Sequence, residues 1–361
     1  MLKKLVSCVL VCSLILVYLC SCSSNQEEQG NGKLQKFSNT TLDFFDTACM
    51  VVGYEETQEQ FDAVFKKVTD QLRVYNDLYD IYKTYEGINN IRTINQNAGK
   101  EPVKVDKKII DMLDYSIGLY EKTDGMMNVA MGSVLSIWHD YRNMYKGDQG
   151  AENAVLPPMD MLKEAAKHTD IKNLVIDREN STVFLSDPLM SLDVGAVAKG
   201  YATEMIAQSL IADGVNHYAL SFGGNLRTIG SKGDGSSWST VVTNPDLSQR
   251  IDKPYVMMVE LKDQSFVTSG SYERFYTVDG KPYHHIIDPT TLMPNDTFTS
   301  ISILCEDSGL ADVLSTATFN LSYENGKKLI ESFENVEAVW ITSDNKILYS
   351  DGFEDIIIEK Y

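Results

Sequence analysis

Along residues 37–54 apolar and polar side chains alternate, with aromatic and β-branched types common, and this two-residue period predicts strand structure that opens a sheet. The period then changes. Thr57 stands as an N-cap before Phe61, Val64, Phe65, Val68, Leu72 and Tyr75, whose three- and four-residue spacing lays one apolar stripe along a helix. Residues 79–85 are tyrosine-rich and aperiodic, which fits either a packed loop or a stacking platform for a flat ring; composition favours the loop. Asp106 caps a second helix carrying Ile109, Ile110, Leu113, Ile117 and Tyr120 on one side, with Gly125 beyond its end.

The run 126–138, MMNVAMGSVLSIW, has methionines that either line a wall for a ring or belong to the core, and a Met cluster is more often core. Residues 147–158 form a polar insertion ending in paired prolines, a surface loop. Segments 174–177 and 182–185 read as a hairpin leading into 191–202, SLDVGAVAKGYA. From 198 to 212 the pattern is helical and closes at Gly214, and 217–222 runs as a strand into Gly223 and Gly224. Further strands are expected around Val241, 256–261, Phe266 and 300–305, helices at 309–320 and 326–333, and a closing hairpin at 338–341 and 347–349. No repeat is visible and the elements do not alternate regularly, so the expected class is α+β, with mixed, mainly antiparallel sheets flanked by helices.

Composition narrows the partners. A chain of 361 residues with 43% hydrophobic side chains builds a large core, and a net charge of −19 excludes a nucleic-acid partner, which needs a basic face. Lys3 and Lys4 precede an apolar run at 5–19, the charged and hydrophobic regions of a secretion signal. Leu19, Cys20, Ser21 and Cys22 resemble a bacterial lipobox, so 1–21 is expected to be a lipoprotein signal peptide with Cys22 lipidated. An ordinary cleaved signal remains the alternative. Residues 22–36 then serve as a flexible tether and 37–361 as the folded domain, held by its lipid at the extracytoplasmic face of a bacterial cell membrane. Of six Cys, this processing leaves Cys49 and Cys305 in apolar strand-like runs, where two buried thiols are favoured over a disulfide.

Three places carry candidate chemistry. In 191–202 the acid Asp193, a run of small residues and Lys199 at the head of a helix bring amides and one cation to where an anion can sit. The spacing matches neither GxGxxG nor a Walker loop, and a plain strand, turn and helix explains the same letters equally well. Asp312 and Thr316 lie four apart on the 309–320 helix and offer two hard oxygens that a backbone carbonyl, phosphate and water would complete into a magnesium shell. Read alone, they are equally a helix-start acid and a core-edge hydroxyl. His284 and His285 point to opposite faces of an extended segment, so they are no zinc pair, and His285 stands where the turn at Asp288 and Pro289 can aim it as a general base. His139, His168 and His217 have no such setting.

In chain order the motifs DVGAVAKGYA, SFGGN, VTSGSYERF, HIIDPTT and ADVLSTA resemble those of the ApbE-type flavin transferases, the FAD:protein FMN transferases, from about Phe45 to the C-terminus. That resemblance implies an ApbE-like, T-fold-like architecture and an exported, lipid-anchored enzyme. It would use FAD as substrate and Mg2+ as cofactor, join FMN through a phosphoester to a Thr or Ser of an acceptor protein, and release AMP. Implied acceptors are subunits of ion-translocating quinone oxidoreductases, Rnf-type subunits and other FMN-binding exported proteins. The resemblance places the magnesium ligands at Asp312, Thr316 and the carbonyl of Ala196. FAD contacts fall at Asp193, Lys199, the backbone of Ile287, and Phe45, Tyr82, Met126, Met127 and Asn128, with His285 activating the acceptor hydroxyl. Three letters depart from the pattern: Asn128 replaces an acid, Ala130 a Thr, and Leu292 a Gly. Two other readings are an FAD pyrophosphatase, with water as acceptor, and a flavin-binding lipoprotein without catalysis.

Overall fold

The structure is a computed structural model that describes residues 33–145 and 153–361. The expected signal segment, Cys22, most of the tether and the start of the 147–158 loop lie outside the described residues.

Its centre is an eight-stranded antiparallel sheet whose strands lie side by side in chain order. They are β1 (Gln35–Phe44), β2 (Thr47–Glu55), β3 (Tyr218–Phe222), β4 (Asn225–Ile229), β5 (Ser265–Gly270), β6 (Phe298–Cys305), β7 (Glu337–Thr342) and β8 (Ile347–Tyr349). The helices among the described residues are α1 (Gln58–Tyr79), α2 (Ile91–Gln96), α3 (Lys107–Lys122), α4 (Gly132–Met144), α5 (Met159–Ala166), α6 (Ala198–Ala212), α7 (Ser308–Phe319) and α8 (Tyr323–Glu331). All of α1 to α6 is inserted between β2 and β3. The α+β class with antiparallel sheets is as expected.

Side-chain alternation sends successive strand residues to opposite faces, and both faces are covered. Cys49 and Val51 of β2 and Tyr218, Leu220 and Phe222 of β3 join Phe61, Val68 and Leu72 of α1 in one core, together with Ile206 and Leu210 of α6. The intervening Val52 and Ala219 face the other way, onto a small sheet of Trp238–Thr243, Tyr255–Leu261 and Ile357–Lys360. Under β6 and β7, Ile301, Ile303, Ala338 and Trp340 meet Ala311, Leu314 and Phe319 of α7. Cys49 and Cys305 are separate buried thiols, as expected.

Several boundaries follow the sequence cues. Thr57 and Gln60 form a reciprocal capping box at α1, Asp106 caps α3, and Gly125 and Gly214 take left-handed φ values of 78° and 79° beyond α3 and α6. The single strand-like stretch 37–54 is instead a hairpin. Its turn, Phe45 and Asp46, holds φ values of 52° and 51° without glycine, and the Phe45 amide is anchored by the Asn76 side chain at 2.9 Å. The helix expected at 326–333 begins earlier because Ser322 caps it, accepting from the Asn325 amide at 3.3 Å. A hairpin of Phe275–Val278 and Lys281–His284 was not legible inside the VTSGSYERF and HIIDPTT motifs.

One buried ion pair fixes the helices that matter below. Glu204 of α6 accepts from Arg227 Nε of β4 at 3.2 Å and from the Ser308 amide of α7 at 3.0 Å. Both charged groups are almost sealed from water, so each depends on the other for compensation.

Candidate functional site

The loop before α6 is held from both sides. Leu192 exchanges hydrogen bonds with the Asn95 side chain at 2.7 and 2.9 Å, the Asp193 amide donates to the Val129 carbonyl at 2.9 Å, and Asp193 Oδ1 accepts from the Gly195 amide at 2.9 Å. The chain then enters α6 without a side-chain cap on Val197. The Gly200 amide does not close back on the Ala196 carbonyl; it donates to Asp312 Oδ2 at 2.8 Å. Among the described residues no backbone amide bonds to the Ala196 carbonyl, which is left available as an oxygen ligand. Lys199 Nζ stands 3.6 Å from the same Asp312 oxygen. The two helices cross so tightly that a Cβ on Gly200 would lie 2.4 Å from both Asp312 Cβ and the Ser308 carbonyl oxygen.

On α7, Asp312 is only 4% exposed, and Thr316 is the one half-open position among residues 311–320. One turn on, Asn320 Nδ2 donates to the Ile287 carbonyl at 3.3 Å and reaches the Thr316 carbonyl at 3.5 Å, which sets Ile287 beside the Thr316 turn. The 196–200 segment, Asp312, Thr316 and Ile287 therefore share one neighbourhood. Their donor set is a carboxylate, a hydroxyl and a backbone carbonyl, all hard oxygens suited to magnesium, whose shell is ordinarily completed by water and phosphate. No cluster of three His, Cys, Asp or Glu side chains is present among the described residues, so a cation bound here takes non-carboxylate oxygens as well. Two surface depressions elsewhere, one beside Arg227 and Asp263 and one beside Lys66 and Asp70, contain none of these residues.

The histidine doublet divides as its extended geometry requires. His284 turns inward, with Nε2 on the Asn295 carbonyl at 2.8 Å, Nδ1 accepting from the Ile286 amide at 3.2 Å, and its ring edge-on to Phe319. His285 stays partly open to solvent, with its amide donating to the Arg274 carbonyl at 3.0 Å and its Nδ1 3.3 Å from the same oxygen. With Nδ1 as donor to that carbonyl, Nε2 carries the free lone pair. Close packing, then the charges of Arg274, His284 and Arg142, hold the ring's pKa down to about 3, so the imidazole is neutral at ordinary pH. Asp288 is engaged within its own turn, accepting from the Thr290 amide and hydroxyl at 2.7 Å each and from the Thr291 hydroxyl at 3.1 Å. Leu292, in place of a glycine, keeps a glycine-like φ of 61° while its side chain is buried against Trp138 and Ile287.

The expected ring contacts are only partly brought together. Tyr82 is 58% exposed, and its hydroxyl bonds His139 Nδ1 at 3.1 Å; His139 Nε2 in turn lies 3.7 Å from Asp193 Oδ2. Phe45 is half-buried at the β1–β2 turn, and the nearby Asp46 contributes to raising the Tyr82 pKa after burial and Asp193. Met127 is in the core at 1% exposed, whereas Met126 is half-open. Asn128 is occupied structurally, accepting from the Ala130 amide at 2.9 Å and donating to the Thr169 carbonyl at 3.0 Å. His139, assigned no role from sequence, belongs to this cluster. So do Arg142, three residues along the same helix face, and Arg274 inside the YERF motif, whose charges act on His139. The i, i+3 spacing of His139 and Arg142 on a helix was the available signal. His168 pairs with Asp187 at 2.7 Å, and His217 with the Ser231 carbonyl at 2.8 Å, both away from the site.

Comparisons with known proteins bear on the family and the fold. The profile described as "ApbE family" matches residues 45–340. A Treponema pallidum protein named FAD:protein FMN transferase is 32% identical over 96% of this chain and 93% of its own length. A Klebsiella pneumoniae protein of the same name is 26% identical, covering 80% of this chain and 85% of its own. Among solved structures, the ApbE protein of Thermotoga maritima superposes with a TM-score of 0.76 at 26% identity, over 90% of this chain and 100% of that one. The flavin transferase ApbE of Vibrio cholerae has a TM-score of 0.73 at 23% identity over 90% and 99% of the two chains, a likeness of fold.

Proposed function

The chain belongs to the ApbE family of transferases, and from that premise we propose that it is a magnesium-dependent FAD:protein FMN transferase acting on exported or membrane-bound electron-transfer proteins. The observation that carries the reading is the convergence at the α6–α7 crossing. Asp312 is held 2.8 Å from the Gly200 amide and 3.6 Å from Lys199, and His285 stands on the chain that leads to Ile287 beside the same helix.

The side chains divide the work. Asp312, Thr316 and the Ala196 carbonyl would hold magnesium, which supplies charge neutralisation at the pyrophosphate and at the departing AMP. Lys199 adds a cation on the same side, and the start of α6 offers amides to phosphate oxygens. Tyr82, Asp193 and the β1–β2 turn form the walls for the dinucleotide. His285, neutral and with Nε2 unprotonated, takes the proton from the acceptor hydroxyl as its oxygen attacks the FMN phosphorus. The phosphoester bond forms, the bond to the AMP phosphate breaks, and AMP leaves with the electron pair. Phosphoryl transfer of this kind needs positioning and electrostatics more than a protein nucleophile.

Incubation of the protein with FAD, magnesium and a Thr-bearing quinone oxidoreductase or Rnf-type subunit is expected to add the mass of FMN less one water to the acceptor with stoichiometric AMP. Free FMN and AMP with an unaltered acceptor would replace this reading with a pyrophosphatase, and tight FAD binding without product would replace it with a carrier. Lipid anchoring through Cys22 is part of the same proposal, and a fatty-acid label lost in Cys22→Ala tests it.

A further inference from the structure

We propose that His139 is a positioning residue of this site, tying the Tyr82 ring on one wall to the Asp193 carboxylate on the other; the inference rests on the flavin-binding reading above. Tyr82 sits on the connection after α1, His139 on α4, and Asp193 on the loop before α6, so one imidazole joins three segments distant in sequence.

Of the two neutral tautomers, the one with Nδ1 protonated would set the Nε2 lone pair against the Asp193 carboxylate, so the arrangement with the phenol as donor is favoured. The phenol has a single proton, and donating it to His139 Nδ1 at 3.1 Å leaves the imidazole proton on Nε2, which faces Asp193 Oδ2 at 3.7 Å. Asp193 Oδ1 accepts from the Gly195 amide, and the remaining oxygen faces His139 Nε2 at 3.7 Å, a polar contact longer than a hydrogen bond. Tyr82 leaves more than half its surface open while its hydroxyl is anchored and its amide is held by Asp80 at 2.6 Å. An exposed flat ring with its rotation restrained is a preorganised stacking face, and restraint before binding lowers the ordering cost of a ligand. Five groups face the imidazole: Tyr82, Asp193, Arg274, and Asp140 and Arg142 on its own helix. Burial, the largest influence, keeps its pKa below the ordinary value despite the Asp193 carboxylate, which preserves the tautomer that accepts from Tyr82. Protonation would turn Nδ1 into a donor and release the phenol.

The test compares His139→Phe, His139→Gln and Tyr82→Phe with the wild type by FAD fluorescence titration and steady-state transfer. His139→Phe is expected to raise both the FAD Kd and KM about tenfold, the scale of a lost net hydrogen bond with its ordering, while kcat stays within about twofold. His139→Gln, which both accepts and donates, is expected to restore most of the affinity and to remove the acid-side weakening of FAD binding expected of the wild type. Tyr82→Phe gives a similar loss, and the double variant Tyr82→Phe/His139→Phe adds little to it. Unchanged FAD affinity in His139→Phe, additive penalties, or a loss of melting temperature and kcat that Gln does not rescue would each overturn the role. A wild type that binds no FAD would instead sink the flavin-binding reading and this role with it, whereas the tether itself is read separately by nitrogen NMR, as an unprotonated Nδ1 whose shift moves in Tyr82→Phe.

Discussion

Gly200→Ala tests the helix crossing on which the metal and phosphate assignments depend. The added methyl would stand 2.4 Å from Asp312 Cβ, 2.4 Å from the Ser308 carbonyl oxygen and 3.0 Å from Asn225 Nδ2. Carbon atoms in contact prefer about 3.5–4.0 Å, so α6 and α7 must part by roughly 1 Å at this point. Overpacking of this kind costs about 1–3 kcal/mol, and the better helix propensity of Ala returns about 1 kcal/mol, so the net loss of stability is about 0–2 kcal/mol. Melting temperature therefore falls by only a few degrees. Activity suffers more, because the same displacement pulls Asp312 from the Gly200 amide at 2.8 Å and so from the start of α6. Misplacing a catalytic group by 1 Å costs about a hundredfold, so magnesium-dependent FAD turnover should drop by about that factor. The assay pairs a thermal melt with AMP release at saturating magnesium. A folded Gly200→Ala protein with wild-type turnover would show that the close approach of α6 to Asp312 has no part in the chemistry.

Other outcomes follow from the same geometry. Asp312→Ala should abolish magnesium-dependent AMP release while the fold persists, and turnover that survives at wild-type rate removes the metal assignment. His285→Ala should keep FAD affinity and lose about a hundredfold or more of acceptor labelling, the range for a general base; normal labelling refutes the role. Two histidines held neutral in the fold, the partly open His285 and the buried His284, set an acid limb of stability. The unfolded chain protonates His285 near its ordinary pKa of about 6.5, whereas the folded ring resists until about 3, so stability is full above 6.5 and declines as pH falls through that window. His284 contributes in the same sense, its pKa also lowered by burial. Melting temperature against pH should be shallower on the acid side in His285→Ala, and parallel curves would count against the shifted value. Leu292→Gly relieves about 1 kcal/mol of left-handed strain but loses a buried side chain worth about 2–3 kcal/mol, so denaturant unfolding should show a net loss of about 1–2 kcal/mol. A stabilised variant would mean the leucine packs poorly.

Helices were legible where one-sided apolar spacing met a cap, as with Thr57 before α1 and Asp106 before α3, whereas α6, buried nearly all round, was marked by its run of helix formers and by Gly214 beyond its end. The central strands β3 and β4 are buried on every residue, so their letters carry no alternation, and only the SFGG turn marks where one ends. The β1–β2 turn was missed because its left-handed residues are Phe and Asp, fixed by a bond to Asn76 across the chain, and not by local turn chemistry. The α6–α7 crossing could not be read from spacing either. Gly200 and Asp312 are 112 positions apart, and nothing local announces that a helix glycine is there to admit another helix. The motif resemblance supplied what periodicity could not. Its weakest transfer was Met127 and Asn128, whose side chains serve the core and a turn.

The chain's charge of −19 makes the placement of its cations informative. Arg142 and Arg274 lie close enough that Arg274 lowers the proton affinity of Arg142, and both lower that of His285. A base placed beside carboxylates is pushed toward protonation; His285 is kept neutral first by close packing and then by the guanidinium groups beside it. In the proposed transferase the same two guanidinium groups would also offer positive charge to an anionic dinucleotide. On that reading one electrostatic arrangement would serve two steps, capture of the pyrophosphate and a free lone pair on His285. The two cannot be tuned apart: neutralising Arg274 should weaken anion capture and raise the pKa of His285 together.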